Sequence, residues 1–193
     1  MLLKKDCSTV AFVIFCIFLN FIGKYAAVNL HLPLWLDSVG TVSASYILGG
    51  LCGSIVGITV NVIYAGFSPI SYIYSITSVA IAFTVSYSAR KKWFHSFYGT
   101  MCASVIVIVF SVFFSVAMSC IFSDGMTNNV WGDGVINYLS EQKVPHFICI
   151  IAGQFYIDFL DKVISLLILY FARKIRHKRR KIAWKLGRIG VAK

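Results

Sequence analysis

Charge is scarce in this chain. Only 13% of its 193 residues are charged, about half the share found in soluble domains. Acids are scarcest, with 7 Asp and Glu against 18 Lys and Arg. Proline occurs 3 times, so long stretches run without a helix breaker. The 6 cysteines have no CxxC spacing, and most lie inside apolar runs, where they act as small hydrophobes. That excludes a disulfide framework and a zinc site. His31, His95, His146 and His177 are scattered, and HExxH, GxSxG and Walker A patterns are absent. The chain is therefore expected to be no enzyme and to hold no metal or cofactor; any ATP used would be hydrolysed by a partner.

What is present is apolar surface. Hydrophobic residues make up 59% of the chain, and several runs approach the roughly 20 residues that a helix needs to cross a bilayer. The first, Thr9–Leu30, is too long for a cleaved signal and has no small-residue cleavage pattern after it. The net charge of +11 sits in three blocks beside apolar runs. Such a distribution points to a membrane protein rather than to nucleic-acid binding.

The stretch Leu34–Asn61 (LWLDSVGTVSASYILGGLCGSIVGITVN) decides the topology. Ser38–Gly66 is too long for one comfortable crossing and short for two. A hairpin turning at Gly49-Gly50 puts Lys4, Lys5, Arg90, Lys91, Lys92 and the tail on one side, with about fifteen of the 18 basic residues. A single crossing would send Arg90–Lys92 outside, against the positive-inside rule. The sequence thus predicts an all-α, multi-pass protein of six transmembrane helices with both termini cytoplasmic. It forms one integral membrane domain, 1–193, with a basic cytoplasmic tail at 173–193. Span one covers about Thr9–Asn29, span four Ile70–Ser88, span five Phe97–Phe122 and span six His146–Phe171; spans two and three are short. The outer loops are His31–Asp37, Phe67–Pro69 and Ser123–Pro145. In the last of these, Gly132-Asp133-Gly134 marks a turn and Val135–Leu139 a short interfacial helix.

Charges and amides inside apolar runs must find partners, and often mark function. Asp158, Asp161 and Lys162 lie in span six. Asp158 and Lys162, spaced i, i+4, either neutralise each other and pin the helix, or Asp158 touches a ligand while Asp161-Lys162 serves packing or coupling. Lys24 either snorkels to the interface or pairs with Asp37 or with an anionic ligand group. Asn20, Asn61 and Gln154 can be satisfied between helices as well as by a ligand. Trp35, Tyr64, Tyr72, Tyr74, Trp131 and Tyr138 crowd the outer half, as an aromatic belt or as walls of a mostly apolar cavity. Ser45, Gly49, Gly53 and Gly57 form a small-xxx-small ladder that the bend interrupts. In the tail, Ile182, Trp184 and Leu186 among the basic residues suit anchoring to anionic lipid.

The order LPLWLDSVGTV…LGGLCGSIVGITVNVIY…SPISYIYSITSVAIAF…DFLDKVISLLILYFARK resembles the substrate-binding S components of energy-coupling factor (ECF) vitamin transporters. Leu32–Tyr64, Ser68–Phe83 and Asp158–Lys174 carry the resemblance. It implies a six-helix protein in a bacterial cell membrane that captures a vitamin-like molecule from outside. Its expected partners are a membrane T component and two cytoplasmic ATPases. Lys24, Asp37, Asn61, Tyr64, Tyr74, Trp131, Gln154 and Asp158 are the expected pocket residues. Gly49, Gly53, Gly57, Asp161 and Lys162 are expected to serve structure or coupling. Two family features are missing. The AxxxA of the first helix is replaced by Cys7 and Ala11, and the Met-His start of metal-specific members by Met1-Leu2, so cobalt or nickel is not the expected cargo. The alternative is a stand-alone membrane sensor. Such modules lead into a kinase or cyclase, whereas this chain stops after a short basic tail, which weighs against it. A membrane enzyme using Asp158 and Asp161 ranks below both.

Overall fold

The computed structural model describes the backbone of residues 2–190 and the side chains of residues 7–179. The side chains of Lys4, Lys5, Ile182, Trp184 and Leu186, which carry the expected basic and lipid-anchoring roles, lie outside the described residues. Every regular element among those described is helical: α1 (Leu2–Asn29), α2 (Val39–Leu48), α3 (Gly50–Tyr64), α4 (Ser75–Arg90), α5 (Phe97–Phe122), α6 (Val130–Glu141) and α7 (His146–Gly190). Short 3₁₀ turns at Pro69–Tyr74 and Trp93–His95 lead towards α4 and α5.

Among the described residues, three stretches are long and apolar enough to cross a membrane: Cys7–Asn29, Pro69–Arg90 and Phe97–Phe122. The all-helical build is that of an α-helical membrane protein by length and composition. α5 has the bounds expected of span five. The apolar helices α2 and α3 have 10 and 15 residues, rising only about 15 and 22 Å. α7 does not end with the apolar run but continues as one helix into the basic tail.

The chain reverses at Gly49. Its φ of 99° and ψ of 169° lie in a region open essentially to glycine alone. On either side the two helices run antiparallel in close contact. A Cβ on Gly53 would strike Ser45, and one on Gly57 would meet Thr41 and Ser78. The small-residue ladder is therefore neither one continuous face nor broken in function: folded back at its centre, it becomes a seam in which one half packs on the other.

The segment expected as an outer loop, His31–Asp37, is the main departure. It does not stay beyond the end of α1 but runs back alongside it. A Cβ on Gly23 would collide with the Leu36 carbonyl, and one on Gly40 with the Cys16 carbonyl. By the time α2 begins, the chain has returned to the level of Asn20. That residue ties the start of α2 down: its Oδ1 accepts from the Gly40 amide, and its Nδ2 donates to Thr41 Oγ1 at 2.9 Å. One of the orphan donors at the α2 N-terminus is thus satisfied by a side chain from another helix. Non-helical backbone is tolerated at membrane depth only when buried in protein or lining a cavity, and this segment meets that condition.

The polar stretch Ser123–Pro145 also differs from expectation. Gly132-Asp133-Gly134 is not a turn but lies inside α6, which is longer than Val135–Leu139. Asn129 caps the helix by accepting from the Trp131 amide at 3.0 Å, and Asp133 accepts from Thr127 N and Oγ1 at 2.6 and 2.7 Å. These carboxylate and amide contacts at an N-terminus outweigh the two glycines. Gly132 is needed for closeness: a Cβ there would run into Thr127 and Ile157.

At the Gly49 end the bundle is closed by an apolar core of Val42, Ile81, Val85, Phe94, Ala103, Val107, Leu166 and Leu169. Arg173 Nη1 donates to the Phe94 carbonyl at 2.6 Å, joining α7 to the turn before α5.

Two glycines with open space around the missing Cβ, Gly49 and Gly134, should respond oppositely to alanine. Gly49→Ala is expected to cost about 1–3 kcal/mol through backbone strain alone. Gly134→Ala, within α6, is expected to gain roughly 0.5–1 kcal/mol. Thermal unfolding of both variants in detergent micelles tests this.

Candidate functional site

Away from the apolar core, between the ends of α1, α3 and α5, the starts of α4 and α7, and the re-entrant segment, lies a cavity of about 130 Å³. It is close in size to an engineered cavity of about 150 Å³ that binds benzene, the scale of a single ring. Of the residues expected in the pocket, Lys24, Asp37, Asn61, Tyr64, Tyr74, Gln154 and Asp158 all line it, and Trp35, Thr77 and Lys162 join them. Trp131 is not in that lining. It is half-exposed, and its indole Nε1 donates to the His31 carbonyl at 2.7 Å, pinning α6 to the start of the re-entrant segment. Tyr72 and Tyr138 are exposed, as belt residues would be.

Lys24 turns inward rather than snorkelling. It is buried, donates to Asn61 Oδ1 at 2.8 Å, pairs with Asp37 Oδ2 at 3.4 Å, and lies over the rings of Tyr64 and Trp35 at 4.9 and 5.6 Å. Desolvating an ammonium is costly, and the carboxylate, the amide and two ring faces together offset that cost. Asn61 is engaged at both ends, since its Nδ2 also donates to Ser78 Oγ at 2.9 Å. Lys24 and Asn61 thus join α1, the re-entrant segment, α3 and α4.

Lys162 lies deeper. It pairs with Asp161 at 2.6 Å and with Asp158 Oδ1 at 3.3 Å. The i, i+4 pair seen in the sequence is therefore the looser of its two contacts. Asp161 has a second task that sequence spacing did not show: its Oδ1 accepts from the Leu36 amide at 2.7 Å and its Oδ2 from Ser38 Oγ at 2.9 Å. Leu36 has a φ of 51°, a strained value for a branched side chain. The charge-assisted bond from its amide to Asp161 holds that conformation.

On the far wall, Ser119 joins three elements. Tyr74 Oη lies 3.0 Å from Ser119 Oγ, which also accepts from Gln154 Nε2. Ser119 carried no sequence signal, being one of many serines in an apolar run. Two fully buried polar atoms belonging to cavity-lining residues have no hydrogen-bond partner among the described residues: Asp158 Oδ2 and Thr77 Oγ1.

Comparison of the chain with protein-family models, with curated proteins and with solved structures gives no match.

The two acids of α7 should separate on mutation. Asp161→Asn removes the charged anchor of the re-entrant segment and the tighter partner of Lys162, and is expected to cost about 3–5 kcal/mol. Asp158→Asn leaves Lys162 paired and is expected to cost less than half as much. Unfolding midpoints of the two purified variants test the ranking.

Proposed function

We propose that the chain is the substrate-capture subunit, or S component, of an ECF-type importer in a bacterial cell membrane. On this reading it takes a vitamin-like small molecule from outside and delivers it with a T component and two cytoplasmic ATPases that hydrolyse the ATP. The observation that carries the proposal is the cavity, where polar side chains from α1, α3, α7 and the re-entrant segment converge beside Trp35, Tyr64 and Tyr74. Aromatic walls beside fixed polar groups are what the capture of a small ring molecule needs.

The topology that suits this role has six crossings. The re-entrant segment with α2 makes the second, α3 the third, and α7 the last. The Gly49 turn, Arg90–Lys92 and both termini then face the cytoplasm, where the basic tail meets anionic lipid. The cavity opens towards the exterior. Its ordered scaffold of buried ion pairs suits a binding site formed before the ligand arrives, and the apolar core beneath it separates it from the cytoplasmic end.

In a background with the native cysteines replaced, Lys143→Cys is expected to react with a membrane-impermeant maleimide on intact cells, and Lys91→Cys only after permeabilisation. Reaction at Lys91 from outside would overturn the proposed topology. Function is tested separately: the protein purified from cells in rich medium should release a small molecule on denaturation and co-purify with a T component. A bound molecule with no T component would favour a sensor.

A further inference from the structure

The wall of the cavity is not electrically balanced. Five ionisable side chains face one another across it or directly behind it: Lys24 and Asp37 from α1 and the re-entrant segment, and Asp158, Asp161 and Lys162 from α7. With all five ionised, three carboxylates oppose two ammonium groups. The ammoniums are both engaged, Lys24 by Asp37, Asn61 and two rings, and Lys162 by Asp161 and Asp158 Oδ1. Asp161 is engaged through both oxygens, by the Leu36 amide and by Ser38 Oγ at 2.9 Å, and Asp37 by Lys24, with the same Ser38 Oγ at a longer 3.2 Å. What is left over is an acceptor. Asp158 is only 3% exposed, yet its Oδ2 has no partner among the described residues, and it belongs to the cavity wall. The hydroxyl of Thr77, also in that wall, is likewise unpartnered.

A buried carboxylate oxygen without a donor is costly, and such a group in a cavity is most simply completed by what enters. The entering group must donate and is favoured if positive. A bare metal ion would leave most of a space of about 130 Å³ empty and would make no use of the rings of Trp35, Tyr64 and Tyr74. An anionic group would meet one acceptor too many and no free cation. Building on the capture role proposed above, we infer that the site selects an organic cation, a single-ring molecule bearing a protonated amine or amidinium, with its N–H donating to Asp158 Oδ2 and its ring against the aromatic wall. Asp158 is then the residue that sets charge selectivity, whereas Lys24 and Lys162 hold the wall and do not contact the cargo's charge.

Isosteric ring probes test this on the full chain in detergent. Benzamidinium and benzylammonium are expected to raise the unfolding midpoint, with benzyl alcohol and benzoate giving at most a small fraction of that shift at equal concentration. In Asp158→Asn the preference for the cations should fall at least tenfold in apparent affinity while the fold is retained. Thr77→Val, which keeps the charge, should retain the preference. Benzoate or benzyl alcohol matching the cations would overturn the inference. So would the absence of a cation shift, or an undiminished cation preference in Asp158→Asn. The proposed importer role is judged apart, by T-component association and by release of a small molecule. An anionic cargo would sink the charge selectivity and leave capture standing.

Discussion

A stretch of backbone that is not helical has been brought alongside a helix in a protein built for hydrocarbon. The chain after α1 runs back along it; the amides of Leu30, His31 and Leu32 still bond to α1 carbonyls, but beyond Pro33 the amides have no helix to rely on. Asp161 resolves this by accepting from the Leu36 amide and from Ser38 Oγ. Asn20 does the same for the first turn of α2. Burying the Asp161 carboxylate is costly, and Lys162 at 2.6 Å offsets part of the cost. From these contacts follow the position of Asp37, its pairing with Lys24 and the shape of the cavity.

The polar groups of the interior therefore divide by task. Asn20, Lys24, Asn61, Asp161 and Lys162 are occupied with one another and fix how the helices meet. Ser119, Tyr74 and Gln154 do the same on the opposite wall. Asp158 and Thr77 are incompletely used, each keeping a buried oxygen without a partner. A wall rigidified by satisfied contacts, with a few buried oxygens left over, resembles a preorganised binding site more than a packing defect.

The two ends of the molecule are built differently. Around Gly49 and the Trp93–His95 turn, the interior is apolar and the chain outside it is basic. Around the cavity, the interior is polar and the covering segments are held by local hydrogen bonds, among them Trp131 to His31 and Asn129 Nδ2 to the Leu32 carbonyl. α6 joins this cover through its packing on α7, for which Gly132 and Gly153 leave room. An apolar plug at one end and a polar chamber at the other suit a protein that receives a molecule from one side.

Much of this was legible in the residues. Uninterrupted apolar runs of sufficient length have few choices other than helices, so the helical class and the bounds of α5 could be read directly. The turn at Gly49-Gly50 was legible because a charge-free run of that length, flanked by basic blocks, has one economical path. Seven of the eight expected pocket residues were found together because polar groups in apolar runs must converge to be satisfied. Trp131 was not among them, because an aromatic side chain in a polar loop gives no sign of whether it faces a cavity or seals a seam. What the sequence by itself determined is which side chains could not face lipid. Only the tertiary structure decided which of them satisfy each other. The re-entry of residues 30–38, the double duty of Asp161 and the idle oxygen of Asp158 arise from contacts across more than a hundred positions of chain, such as that from Leu36 to Asp161, and no local periodicity or propensity encodes contacts of that range.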